Sequence, residues 1–323
     1  MSYLVEKEAV EAKVVKEPSY RMIASGTTLY LGIGAAFFTV CIWACWLIVI
    51  KLGTQTALTS YDLALLRFGV PCVLLLPFAW QARKKIAAVP FKYLIGITCG
   101  AGVPFVFLSS TGMSFAPASH AGLLLPGTFP LFVTAIAYFF YKEPLSRLRL
   151  CGLIGIFAGI VLLLLTSLLV SEGQVWLGDL YLLGASLCWA IYTISLRVAG
   201  LPPLAASGLL SLVSLIMLFV LFLLGVVDSG ISQVSLDVIL KQVFVQSILV
   251  GVVAGFSYGF AINKLGAERT SAVGALTPVL TSLLAIPLLG EIPTLEVIAG
   301  LILVGIGVVF ASGILRSKKN IKT

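Results

Sequence analysis

Apolar runs of about 20 residues, the length that a helix needs to cross a bilayer, recur along nearly the whole chain between short polar links. The runs show no period-2 alternation, and backbone polar groups inside lipid must be paired within a helix or a closed barrel, so the pattern predicts helices. We number the ten predicted membrane spans 1 to 10 in chain order: 29–50, 60–80, 91–111, 117–140, 148–170, 177–199, 204–227, 242–263, 269–289 and 294–315.

Two of these segments share one outline, an apolar run broken by proline and followed by a glutamate and a further proline. They are LLLPGTFPLFVTAIAYFFYKEPLS, residues 123–146, and GALTPVLTSLLAIPLLGEIPT, residues 274–294. Pro130 matches Pro278 and Glu143 matches Glu291, in both cases 148 residues apart. Pro126 and Pro287 add a second break to each segment, and we interpret all four prolines as helix breaks with a role in gating.

Further matches at nearly the same offset indicate an internal duplication. WACWLIVIK, which begins at Trp43, resembles WAIYTISLR, which begins at Trp189, 146 residues later. Glycines match as well, Gly152 with Gly300 and Gly159 with Gly307. Each copy has five spans, 29–170 and 177–315, and an odd number forces the second copy to enter the membrane from the opposite face. The prediction is an all-α integral membrane protein of ten helices in an inverted five-plus-five repeat, an architecture that places substrate between the halves.

Composition agrees with a membrane protein. Hydrophobic residues make up 60% of the chain and charged residues 11%, whereas a soluble domain carries roughly 45–50% and about 25%. All six cysteines lie inside predicted spans: Cys41, Cys45, Cys72, Cys99, Cys151 and Cys188. No histidine or acid joins them at a metal-ligand spacing, so we expect no metal, no cofactor and no disulfide framework.

The net charge of +8 is the difference between 21 basic and 13 acidic residues, and all of the basic ones but Lys51, Lys241 and Arg67 are assigned to one side of the membrane. This positive-inside asymmetry predicts cytoplasmic termini, with tails at 1–28 and 316–323, in the cell (inner) membrane. Since the charge is accounted for by topology, we expect no nucleic-acid partner.

The segment ERTSAVGALTPVLTSLLAIPLLGEIPTLEVIAGLILVGIGVV, residues 268–309, together with its copy around Pro130 and Glu143 and the two tryptophan segments, resembles the EamA family of the drug/metabolite transporter superfamily. The resemblance covers about residues 29–315. It implies ten helices in an inverted repeat around a central cavity. It also implies transport of small metabolites, mostly export of amino acids and related compounds, with import in a minority of members.

Two ionisable side chains inside the spans are candidates for function, because charge inside lipid is costly. Arg67 lies about two turns into span 2. It either faces the cavity and holds a carboxylate or phosphate, or snorkels outward or binds helix-end carbonyls. His120, the single histidine, either couples protons to transport or binds a backbone group near the start of span 4.

Aromatic residues are the other candidates for the cavity lining: Trp43, Trp46, Tyr138, Trp189, Tyr192 and Tyr258. They suit a mostly apolar pocket with a few hydrogen-bond donors, although interfacial anchoring also explains such residues. We find no carboxylate in the interior of any span. Antiport of cationic drugs against protons needs an embedded negative charge, so a neutral, zwitterionic or anionic substrate is favoured.

The leading interpretation is a secondary carrier in the lipid bilayer that exports a small-molecule substrate by alternating access. An uptake permease of the same fold, a membrane-embedded enzyme and a channel are the alternatives. We expect no enzymatic activity, because no cluster of acids, histidines or nucleophiles marks a catalytic site, and no Walker-type glycine loop indicates ATP hydrolysis. A homodimer is left open.

Overall fold

The computed structural model describes residues 26–169, 173–265, 270, 273–274 and 276–311, and these form helices joined by turns and loops, without a β-strand. Both predicted tails lie outside the described residues, apart from the helical backbone at 26–28. The helices of spans 1 to 5 are Gly26–Thr54, Ser60–Gln81, Phe91–Gly100 with Val103–Phe115, Ala118–Tyr141 and Arg147–Leu169. Those of spans 6 to 10 are Val175–Ala199, Pro203–Leu223, Leu236–Gln242 with Val243–Ala254 and Gly255–Leu265, Thr277–Leu289 and Leu295–Ala311.

Eight helical segments, spans 1 to 8, are long and apolar enough to cross a membrane. The described helices of spans 9 and 10 are shorter, at 13 and 17 residues, and equally apolar. Parts of both predicted spans lie outside the residues that the structure describes. The prediction of an all-α integral membrane protein is therefore confirmed, with eight helical segments of membrane-crossing length and two shorter apolar helices among the described residues.

Repeat-related packing joins the two halves. The helices of spans 5 and 10 meet through glycines: a Cβ on Gly152 would lie 2.5 Å from the carbonyl oxygen of Gly307, and one on Gly159 would lie 3.2 Å from that of Gly300. Gly152 corresponds to Gly300, and Gly159 to Gly307. Exchanging the halves therefore turns the first contact into the second, as a pseudo-two-fold axis requires.

The remaining helices follow the same relation. Span 2 packs against its counterpart span 7, and span 4 against its counterpart span 9. Span 6 packs against spans 3 and 4, and its counterpart span 1 packs against spans 8 and 9. Helices of the two halves are thus interleaved into two groups, one formed by spans 3, 4 and 6 and the other by spans 1, 8 and 9.

Three of the four prolines that we interpreted as helix breaks lie inside helices that continue through them, and the fourth lies at the start of a helix. Pro126 and Pro130 lie inside the helix of span 4, and Pro287 lies inside that of span 9. Pro278, which we expected to kink a helix at mid-span, occupies the first turn of a helix that begins at Thr277. A missing N–H is harmless in a first turn, so Pro278 starts a helix there.

Loop contacts define the two ends of the bundle. The Lys51 end holds residues 51–60, 116–118, 225–235 and 290–294, which are linked by hydrogen bonds such as Thr59 Oγ1 to Asp228 O at 2.8 Å. The Arg197 end holds residues 82–93, 141–147 and 197–203, where the hydroxyls of Tyr141 and Tyr93 lie 3.4 Å apart. The aromatic residues described next lie between these ends.

Candidate functional site

Aromatic rings from three spans pack against one another inside the bundle. The ring centroids of Trp46 and Phe105 are 5.9 Å apart, those of Phe105 and Trp189 are 5.1 Å apart, and those of Trp189 and Tyr192 are 5.1 Å apart. We call these four residues the aromatic cluster. Trp46 belongs to the first half and Trp189 to the second, so the cluster joins the repeats.

Arg67 of span 2 lies on this cluster. Its guanidinium carbon is 5.0 Å from the ring centroid of Trp46 and 5.9 Å from that of Phe105. The residue is only 7% exposed, so its side chain does not snorkel to an end of the bundle. Stacking a guanidinium on aromatic faces is favourable, more so when water is excluded. Tyr192, at the other edge of the cluster, lies within electrostatic range of Arg67.

Several buried hydrogen-bonding groups of this region lack partners within the described residues. They include Nη1 of Arg67, Nε1 of Trp46 and Oγ of Ser214. Ser214 lies beside the break in span 3, since a Cβ on Gly102 would be 2.9 Å from its Oγ. Buried donors are nearly always paired, and an unpaired one costs about 1–3 kcal/mol. Such a set of free donors is suited to an acceptor supplied from outside the chain.

A second aromatic pair extends this surface. Trp43 is three residues before Trp46 on the same helix, and its ring centroid lies 5.1 Å from that of Tyr258 in span 8. Both rings are half-buried. The pair therefore continues the aromatic surface along span 1 towards the Arg197 end.

Two predicted site residues lie elsewhere. Tyr138, near the end of span 4, is 47% exposed and packs edge-on against Phe139. His120 lies near the Lys51 end, where its Nδ1 is 2.8 Å from Oδ1 of Asp179. Neither contacts the aromatic cluster. Phe105, in contrast, belongs to the cluster and was missed in the sequence, where its only signal is its position just after the span 3 break and Pro104.

The expectation that span interiors hold no carboxylate needs correction, because Asp62 and Asp179 both lie within helices and are fully buried. Asp62, one turn into span 2, accepts hydrogen bonds from the backbone N–H groups of Thr59 and Gly230 and so fastens a loop to a helix end. Asp179, one turn into span 6, binds His120 and Ser167. Neither carboxylate contacts the aromatic cluster.

At the Lys51 end, one short turn is held from two sides. Nζ of Lys51 donates to the carbonyl oxygens of Met113 and Ala116, at 2.7 and 2.8 Å. Oε2 of Glu291 accepts from the backbone N–H of Ala118 at 2.6 Å. These contacts tie spans 1 and 9 to the turn between spans 3 and 4, and so close this end of the bundle.

At the Arg197 end, the repeat counterparts of these two side chains bind each other instead of a turn of the other group. Nη2 of Arg197 lies 2.7 Å from Oε1 of Glu143. Arg197 is the repeat counterpart of Lys51, 146 residues away, and Glu143 is the counterpart of Glu291. One pair of repeat positions therefore supplies a cation and a carboxylate to each end of the molecule.

A groove of about 470 Å³ lies apart from these features, between spans 2, 7 and 8 at the Arg197 end. Its walls include Phe78, Pro202 and Phe256. Because phenylalanines this exposed suit contact with lipid chains, we place the candidate site at the aromatic cluster. Within the described residues, no group of three histidine, cysteine or acidic side chains is arranged to hold a metal ion.

Two stretches of the chain, residues 30–165 and 176–313, match the sequence profile of the EamA-like transporter family. The chain belongs to this family. Among curated relatives, it is 26% identical over 243 residues to the "Uncharacterized transporter YyaM" of Bacillus subtilis (strain 168), over 74% of this chain and 77% of that protein. It is 25% identical over 270 residues to an "Uncharacterized transporter" of Clostridium kluyveri, over 79% and 84%.

A solved structure entitled "Crystal structure of protein" has the same fold. It superposes with a TM-score of 0.60 over 90% of this chain and 98% of that chain, at 19% identity. The family and the relatives make this EamA-like protein a membrane transporter. They do not identify its substrate.

Proposed function

We propose that this protein is a secondary carrier that exports small carboxylate-bearing metabolites, amino acids first among them, by alternating access. The observation that carries the proposal is the guanidinium of Arg67, buried on the aromatic cluster with a free Nη1. A buried charge is costly unless it is paired, and no acid of the described residues forms an ion pair with Arg67. A substrate carboxylate supplies that missing partner.

Carboxylates fit this site better than other groups. The planar fork of a guanidinium binds a carboxylate through two parallel hydrogen bonds, and Nε1 of Trp46 provides a further buried donor. Ring faces of Trp43, Trp189 and Tyr258 are suited to an ammonium group or an apolar side chain of a zwitterion. A substrate with net positive charge is repelled by Arg67, which disfavours cationic drugs.

Alternating access is supported by a difference between the two ends. At the Lys51 end, the cation and the carboxylate bind the turn between spans 3 and 4, which belongs to the other group of helices. At the Arg197 end, their repeat counterparts bind each other within one group. An exchange of these roles between the halves would open the Lys51 end and close the Arg197 end. The aromatic cluster lies between the two ends, where substrate is reached from either side in turn. The excess of basic residues on one side supports cytoplasmic termini, in the cell membrane of the host.

Counterflow in proteoliposomes tests the proposal. Vesicles containing the full-length protein are preloaded with unlabelled L-amino acids, and entry of a trace of radiolabelled L-amino acids is followed without an ion gradient. We expect saturable accumulation of label above equilibrium, which a channel does not produce. If vesicles with correctly folded protein accumulate no more label than protein-free vesicles, this result counts against amino acids as substrates. If a preloaded pool of metabolites without a carboxylate drives accumulation of the matching label, this result counts against the role of Arg67.

The end contacts make a separate prediction. Arg197→Glu places two carboxylates together and is expected to slow counterflow several-fold, whereas the double variant Arg197→Glu with Glu143→Arg recovers it because the pair is rebuilt. Both side chains are partly exposed, and exposed pairs contribute only about 0–1 kcal/mol to stability, so thermal unfolding should barely change.

The equivalent exchange at the other end provides the contrast. Lys51→Glu with Glu291→Lys is expected to remain slow, because Lys51 is held by backbone carbonyls, which repel a glutamate in its place. Equal recovery by both exchanges would contradict this assignment. Counterflow rates, normalised to the amount of folded protein in the vesicles, decide between the outcomes.

A further inference from the structure

We infer that His120, Asp179 and Ser167 form a proton-binding site that couples transport to the proton gradient. The inference rests on the proposed carrier function, whose coupling ion it names. His120 lies in span 4, Asp179 in span 6 and Ser167 in span 5, so three helices from both halves build the site. His120 is 7% exposed, Ser167 1%, and Asp179 is completely buried.

Hydrogen bonds determine where the proton binds. Oγ of Ser167 donates to Oδ2 of Asp179 at 2.5 Å, and Nδ1 of His120 lies 2.8 Å from Oδ1. An ionised carboxylate only accepts, so Nδ1 of His120 carries a hydrogen and donates it. Nε2 of the same ring is then left with a lone pair. A proton that arrives from water binds at Nε2 and leaves from it, without any other bond changing.

The arrangement differs from a nucleophilic triad. In such a triad the histidine bonds to the hydroxyl, whereas here the hydroxyl of Ser167 and the ring of His120 bond to opposite oxygens of Asp179. The serine therefore orients and stabilises the carboxylate and is not activated. The site is therefore a histidine paired with a carboxylate, a combination in which the imidazole takes up and holds a proton.

Charge balance explains why a proton is bound here. With neutral His120 the site has a charge of −1 from Asp179, and an unpaired charge inside a membrane protein is costly. Protonation of His120 makes an imidazolium–carboxylate pair with no net charge. Span 5 brings no charged residue near Ser167, since residues 150–169 contain none. The described helices next to the site thus leave the carboxylate to be balanced by His120 or by a more distant cation.

Other charged groups at this end relate the site to transport. Spans packed against span 4 bring Lys51 of span 1, Glu291 after span 9 and Glu296 of span 10. Lys51 binds Ala116 and Glu291 binds Ala118, and His120 follows two residues later on the same helix. Loading and release of the proton therefore act on the turn that closes the Lys51 end, so the charge of the site biases opening at that end.

The single histidine of the chain allows a direct test that needs no substrate. Full-length protein purified with a histidine-free tag is labelled with ¹⁵N-histidine and placed in lipid nanodiscs. The two ring-nitrogen resonances are recorded over a pH series in which the fold is retained. We expect Nδ1 to keep its hydrogen throughout while Nε2 gains a proton on acidification.

Two results of this experiment overturn the site. One is a ring that carries its hydrogen on Nε2 over the whole series, and the other is a resonance that does not move with pH. Because no transport is measured, the spectrum decides the proton site even if the proposed substrate is wrong.

Coupling is tested in proteoliposomes with the radiolabelled L-amino-acid mixture. For each variant, the rate of uptake driven by an imposed pH gradient is divided by its counterflow rate, so that changes in substrate binding or translocation cancel. We expect a gradient response in the natural protein and none in His120→Asn, whose amide donates to Asp179 in place of Nδ1 but takes no proton. Ser186→Ala is the matched control, because it removes a buried hydrogen bond to Thr128 between the same two spans.

The Ser186→Ala variant is expected to keep the gradient response. A response retained in His120→Asn, or lost equally in both variants, rejects coupling through this site. If counterflow itself is missing from the natural protein, the carrier proposal fails and the spectrum of His120 still decides whether the site binds a proton.

Discussion

Arg67→Ala is expected to abolish transport of carboxylate substrates while the protein still folds. Truncating one partner of a buried hydrogen-bonded charge pair costs about 2–5 kcal/mol, roughly 30- to 3000-fold in affinity. Stability should fall less than transport, because the lost stacking on the aromatic cluster is offset by removal of a buried cation that has no acidic partner among the described residues. Apparent affinity in counterflow, with thermal unfolding of the same preparation, measures both effects.

Two further variants sharpen this result. Arg67→Lys keeps the charge and loses the planar fork, so we expect transport between that of the natural protein and that of the alanine variant. Phe78→Ala, an exposed position in the lipid-facing groove, serves as control and should transport normally. If Arg67→Ala lowers folded protein and transport to the same extent, Arg67 is a structural residue and the carboxylate site is wrong.

Gly307→Ala is expected to destabilise the protein more than any exposed substitution on the same helix. Its Cβ would lie 2.6 Å from the carbonyl oxygen of Gly152 and 2.7 Å from the backbone nitrogen of Ile156. Neither backbone atom can turn aside, so spans 5 and 10 must move apart. Overpacking of this kind costs about 1–3 kcal/mol, which should appear as a lower melting temperature and less monodisperse protein in detergent.

Gly305→Ala is the matched control two residues away, where an added Cβ meets nothing within 4 Å. Alanine favours a helix over glycine by about 1 kcal/mol, so this variant should be as stable as the natural protein or more so. Equal melting temperatures for the two variants would show that the helices of spans 5 and 10 do not pack through these glycines.

The sequence was sufficient for the membrane class and for the internal repeat, and its resemblance to the EamA family was confirmed. The class and the repeat follow from requirements that act on sequence directly: lipid demands apolar runs long enough to cross it, and a duplicated unit keeps its prolines, glutamates and glycines at a constant offset. The odd number of spans in each copy then forces the inversion. The reciprocal contacts of Gly152 with Gly307 and of Gly159 with Gly300 are the packing that such an inversion predicts.

Patterns along the chain were less informative at breaks in the helices. In the sequence, Pro278 lies within an apolar run, as a proline that kinks a helix does. In the structure, it lies in the first turn of the helix that begins at Thr277. Asp179 was not counted among the carboxylates inside the spans, although it is completely buried. In both cases the residue type was visible, and its depth and surroundings were not.

Only the tertiary structure decided which side chains meet. Each residue of a helix faces one direction. Where a span is apolar on all sides, its sequence does not indicate which residues face the centre of the bundle. The position of Arg67 over Trp46, the addition of Phe105 to the cluster and the exclusion of Tyr138 from it depend on how the helices pack. The contact of His120 with Asp179, 59 residues later, likewise exists because spans 4 and 6 pack together. Sequence therefore determined what kind of protein this is, and packing determined which of its few polar groups form its sites.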